Sequence, residues 1–137
     1  MRLAGLQSRS WLLIVGAAGA AMLTRLFLLV VPEAGGSPIF GVHVHHLLIG
    51  ILLVCIGGIP AVLLRADSTM RSVAVAVLGV GLGLALDEWV LFVIREAAPN
   101  APYMNPQSVA GAVIMVVLLI VYTVAIDRFA AREGRRQ

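Results

Sequence analysis

The chain has 137 residues, 61% of them hydrophobic and only 12% charged, with a formal net charge of +3 and a mean hydropathy of +1.01. A soluble domain is about half apolar and about a quarter charged. This composition cannot clothe a soluble surface, and it lacks the polarity of a disordered chain. The expected fold class is all-α: a polytopic transmembrane four-helix bundle.

The basic excess is entirely arginine, ten Arg and no Lys against seven carboxylates. In an apolar chain the placement of these charges matters more than their sum, and no nucleic-acid partner is expected. Cys55 is the only cysteine, which excludes an intrachain disulfide and the paired-cysteine redox chemistry of four-helix thiol oxidoreductases. With no partner it reads as packing.

A bilayer core of about 30 Å requires about 20 helical residues. Four segments qualify: Trp11 to Val31, about Pro38 to Leu64, Ser72 to Ile94 and Ser108 to Ile126. Their connections are short and carry breakers, namely Pro32 with Gly35 and Gly36, Asp67-Ser68, and the Pro99, Pro102, Pro106 stretch. One four-helix domain over residues 1–137 is expected.

The first span resembles a signal peptide in its basic flank and in the small residues Gly16 to Ala21. Strong hydrophobicity resumes at Leu26, so it reads as a retained span. The second span opens with Ser37-Pro38, which predicts an N-cap followed by proline at the first helical position. Gly57-Gly58-Ile59-Pro60 predicts a kink or an end, because Pro60 cannot donate to the carbonyl of Ile56. Arg2, Arg9, Arg65, Arg71, Arg128, Arg132, Arg135 and Arg136 flank one side and Arg95 the other, which predicts cytoplasmic termini; arginine-only usage with much Ala, Gly and Val points to a GC-rich bacterial source and hence an inner membrane.

Ionisable residues inside spans are functional candidates by default. The first span holds Thr24 and Arg25, the second His43, His45 and His46, and the third Asp87 and Glu88. Tyr103, Asn105 and Ser108 precede or open the fourth. At about 1.5 Å per residue, Arg25 and Asp87 lie about 10 Å below their outer helix ends, and a helix begun at Pro38 carries its histidines about 8 to 12 Å inward. Three segments thus bring ionisable groups to one level. Asp87 extends the stripe Ser72, Ala76, Gly79, Gly83; Arg25 extends Ala17 and Ala21; His43 and His46 lead into Gly50, Val54 and Gly57. Small residues let helices approach, and Gly79-x-x-x-Gly83 is a close-packing pattern that also allows a homo-oligomer.

Imidazoles beside carboxylates point to a divalent transition metal, zinc or iron first. His43 and His46 share a helical face, with Asp87 or Glu88 across the bundle as ligand or as the group that orients a histidine. His45 joins them only if the entry is extended, where alternate residues share a side. A catalytic version uses Glu88 or Asp87 as general base and Arg25 as electrostatic stabiliser of a small membrane metalloenzyme. The alternative is an ion- or proton-translocating or accessory subunit, its cluster a relay or a structural network in which Arg25 pairs with Asp87. The cytoplasmic halves of the spans carry almost no polar residues, which argues against a complete path. Bis-histidine haem needs ligands from two helices, and all three histidines lie on one. Trp11, Trp89 and Tyr103 read as aromatic belts.

T-R-L-F in the first span, H-V-H-H-L-L-I-G in the second and G-L-G-L-A-L-D-E-W in the third resemble a group of small, uncharacterised bacterial four-helix integral membrane proteins. Similar members pair an H-x-H-H-x-x-x-G entry with a G-x-G-L-x-x-D-E segment, followed by a Tyr and then a Ser. The resemblance implies a site at His43, His45, His46, Gly50, Gly81, Gly83, Asp87, Glu88, Tyr103 and Ser108 and names no reaction.

Overall fold

Long apolar stretches with few breakers form helices here, and each break falls near the expected punctuation. The computed structural model describes the backbone of residues 2–30, 38–39, 42–43, 46–97 and 105–134, and side chains within 9–30, 46–90, 93 and 105–134. In chain order the elements are α1 (Arg2–Val30), β1 (Pro38–Ile39), β2 (Val42–His43), α2 (His46–Leu63), α3 (Thr69–Ala97) and α4 (Pro106–Glu133). All four helices are long and apolar enough to cross a membrane, which makes this an all-α chain of the multi-pass membrane class.

The first, third and fourth helices exceed the expected spans at both polar flanks, save at the C-terminal end of α1. The start of α4 follows its sequence: Asn105 is the N-cap, its side-chain oxygen accepting from the Gln107 N–H at 3.0 Å, with Pro106 in the first turn. The second helix corrects the expectation. Pro38 and Ile39 do not open a helix; they pair antiparallel with His43 and Val42 in a short hairpin, and α2 begins only at His46. β-Branched Ile39 and Val42 suit extended backbone, and Pro38 sits at a strand start, where its missing N–H is tolerated. Pro60 does not end α2, which runs on to Leu63, where the Leu64 N–H closes the last turn on the Pro60 carbonyl at 2.9 Å.

The third helix is the centre of the bundle: α1, α2 and α4 all pack against it, and α4 also touches α1. Between membrane helices, packing depends on close van der Waals approach because lipid is as apolar as leucine. On one side of α3, a Cβ at Gly79 would meet the Leu13 backbone and one at Gly83 the Ala17 backbone. Residue numbers rise together in these contacts, so α1 and α3 are parallel. On the other side, a Cβ at Gly81 would lie 2.8 Å from the Gly50 carbonyl oxygen, and one at Gly57 2.6 Å from the Ala74 carbonyl oxygen. Here the numbers run oppositely, so α2 is antiparallel to α3. The glycine stripes are thus occupied by contacts inside the chain. Large apolar side chains such as Leu26, Val62 and Val113 face outward, and Cys55, expected to pack inside, is exposed.

Candidate functional site

Asp87 and Glu88 are adjacent on α3 and therefore about 100° apart around it. Asp87 ends the stripe Ala76, Gly79, Gly83 that α1 packs against. Glu88 ends a second stripe, Ala74, Leu78, Gly81, Ala85, that α2 packs against. Both carboxylates are buried, Asp87 with no exposed surface and Glu88 with 2%. Burying two carboxylates side by side demands partners, and each neighbouring helix supplies one.

From α1, the Arg25 Nε donates to Asp87 Oδ1 at 2.5 Å, and its Nη2 donates to the Asp87 carbonyl at 3.2 Å. The same Nη2 donates to the Ser108 Oγ of α4 at 3.1 Å, and Ser108 is fully buried. From α2, the Leu47 N–H donates to Glu88 Oε2 at 2.6 Å. Glu88 thereby satisfies one of the orphan donors of a helix start and lies at the positive end of its dipole. His46, the first residue of α2, spans both acids: its Nε2 lies 3.4 Å from Asp87 Oδ2 and its Nδ1 3.2 Å from Glu88 Oε2. All four helices therefore meet at one charged cluster.

The cluster joins Arg25, His46, Asp87, Glu88 and Ser108. The histidine arrives differently from expectation, at the first residue of α2 and not two turns inside a helix begun at Pro38. Of the remaining candidates, His43 has an extended backbone in β2, while its side chain and all of His45 and Tyr103 lie outside the described residues. Thr24 is satisfied locally, its hydroxyl donating to the Ala20 carbonyl at 2.9 Å. Trp89 is about half exposed on the outer surface, away from the buried acids. Two parts of the site were missed from sequence. The Leu47 amide has no side-chain signature, and the Glu88 stripe was legible in the spacing of Ala74, Gly81 and Ala85.

Among the described residues, no group of three or more His, Cys, Asp or Glu side chains is arranged to hold a metal ion. The pair His46 Nε2 and Asp87 Oδ2 nonetheless has a spacing that bears on this chemistry. Two ligands about 2.1 Å from a tetrahedral ion stand about 3.4 Å apart, whereas a direct charged hydrogen bond closes to about 2.8 Å. Arg25 and Asp87 make such a direct contact, and His46 and Asp87 stand further apart. Comparison with protein-family models, curated proteins and solved structures found no match.

Proposed function

We propose that this chain is an integral protein of a bacterial cytoplasmic membrane whose His/carboxylate cluster, facing the extracytoplasmic side, binds a divalent transition metal. The observation that supports it is the imidazole of His46 set between two buried carboxylates at 3.4 and 3.2 Å. In this reading Nε2 and Asp87 Oδ2 are ligands, and Glu88 accepts the proton on Nδ1 and orients the ring. His43 and His45, just ahead of α2, supply the further ligands. Zinc and iron suit this donor set.

The outward direction follows from the arginines. Arg9, Arg65 and Arg71 lie at the end of α1, α2 and α3 opposite the cluster, and the positive-inside rule places that end in the cytoplasm. A bound ion would supply Lewis acidity and an acidified water. Asp87 and Glu88 are the bases within reach of that level, and Arg25 offsets developing negative charge.

The test is elemental analysis of protein purified without chelator, beside His46→Ala, Asp87→Asn and a His43→Ala, His45→Ala double variant. About one metal per chain is expected in the native protein. Loss of a ligand or of an orienting partner should lower affinity by about 10- to 100-fold. A native protein with no stoichiometric metal, purified from metal-supplemented cells, overturns the reading. It would favour the second one, a structural or relay network, which rests on the closed Ser108–Arg25–Asp87 arrangement.

A further inference from the structure

Two helix starts bear on how deep the cluster lies. α2 begins at His46 and α4 at Pro106, both beside the cluster, and a helix start leaves its first N–H groups without an intrahelical acceptor. Glu88 answers the Leu47 N–H and Asn105 the Gln107 N–H. Just ahead of α2 in the chain, β1 and β2 pair only with each other among the described residues, so each strand has an open edge. Backbone with open donors and acceptors does not face lipid within the hydrocarbon. The outer boundary of the membrane therefore passes close to the cluster, not well above it.

The helix lengths agree. Arg9 lies about 24 Å inward of Arg25 along α1, Arg71 about 24 Å inward of Asp87 along α3, and Arg128 about 30 Å inward of Ser108 along α4. With these arginines at the cytoplasmic boundary, a hydrocarbon core of about 30 Å ends within about 6 Å of the cluster. Snorkelling of the arginine side chains only lengthens the distance to that inner boundary. Trp89, half exposed, stands about 3 Å outward of Asp87, while the exposed Trp11 and Tyr122 each stand about 21 Å inward, from Arg25 and from Ser108. Aromatic residues of this kind mark the two interfaces. Beyond Asp87, α3 continues about 15 Å to Ala97 through Arg95 and Glu96, a length for which the core has no room.

The way inward is closed. No charged side chain occurs on any of the four helices for about 20 Å below the cluster. On both sides of α3, at Gly79, Gly81 and Gly83, backbone packs against backbone. The way outward passes His46, whose side chain is 21% exposed against 12% for Arg25 and 0% for Asp87. We infer that the cluster is an interfacial site, open to extracytoplasmic water through His46, and that its ligand is a hydrated divalent cation exchanged with that water and not passed to the cytoplasm. The cation and the outward orientation rest on the reading proposed above; the depth of the site rests on the helix starts and lengths.

The experiment uses the full chain in vesicles. Trp11→Phe leaves Trp89 as the sole tryptophan, and its fluorescence is read against lipids carrying a nitroxide near the headgroup or near the end of the acyl chain. The shallow nitroxide should quench at least twofold more; equal or greater quenching by the deep one overturns the inference. In right-side-out membrane vesicles and a Cys55→Ala background, an impermeant maleimide should label Val93→Cys at least tenfold faster than Leu52→Cys. These positions lie about 9 Å outward of Asp87 and about 9 Å inward of His46, and equal rates overturn the inference. An impermeant chelator outside such vesicles should strip the metal at least tenfold faster than one sealed inside, and the reverse order overturns it. A protein that holds no metal yet gives the expected quenching and labelling counts against the cation alone. Bound metal with a deep Trp89 counts against the interfacial site alone.

Discussion

The two faces of α3 use the same packing and different chemistry. Toward α1, the small residues Gly79 and Gly83 end in Asp87, and a full guanidinium charge answers it. Toward α2, Gly81 and Ala85 end in Glu88, and a backbone amide and an imidazole answer that. One carboxylate is thus locked by a permanent cation. The other holds a helix start and a group able to bind a ligand. The difference separates a locked half of the cluster, in which Arg25 holds Asp87 Oδ1, from an adaptable half, and His46, beside Asp87 Oδ2 as well, joins the two.

The largest expected effect comes from breaking the locked half. Asp87→Ala leaves Arg25 without its carboxylate in a buried setting and should cost about 3–5 kcal/mol, read by unfolding in mixed detergent micelles. Arg25→Met with Asp87→Leu should recover most of that loss, because an apolar pair of similar volume is often neutral. If the double variant is as unstable as the single one, stranded charge is not the cause.

The two packing faces can be compared directly. Gly83→Val and Gly57→Val each push a side chain into backbone of the opposing helix, and each should cost about 1–3 kcal/mol or more. Gly83→Val should also disturb the Arg25 pair, whereas Gly57→Val, about three turns from His46, should leave the cluster undisturbed. Gly19, where a Cβ meets nothing within 4 Å, provides the control: Gly19→Ala should change stability by less than about 1 kcal/mol. A Gly19→Ala effect as large as that of Gly83→Val would mean that helix propensity, and not contact, governs these positions.

Most of the locked half was legible in the sequence. An arginine and an aspartate inside apolar spans have few alternatives to each other, and the stripes leading to them show which faces meet. The adaptable half was harder to read. Ser37-Pro38 has the form of a helix start, yet the start of α2 is set by a tertiary contact, the Glu88 carboxylate on the Leu47 amide. Local sequence does not encode a cap supplied 41 residues away. Likewise, small residues line α3 on two sides, so one stripe hid the other.

Apart from the Gly19 control, the smallest expected effect concerns α4. Ser108→Ala removes an acceptor for Arg25 Nη2 while leaving both contacts to Asp87 in place. A loss of about 1 kcal/mol is expected, with α1–α4 cross-linking yield reporting any loosening of α4. A loss rivalling that of Asp87→Ala would move Ser108 into the locked half.

The pairing of Arg25 with Asp87, 62 positions further along the chain, also orders events during synthesis. The first helix enters the bilayer carrying a charge whose partner has not yet been translated, and a lone intramembrane arginine is costly there. Until the third helix arrives, α1 can lower that cost only by snorkelling Arg25 toward the interface. Its final depth is therefore set late, by α3. A chain interrupted before Asp87 exposes an unsatisfied charge in the membrane, so completeness of the chain is written into the stability of its first helix.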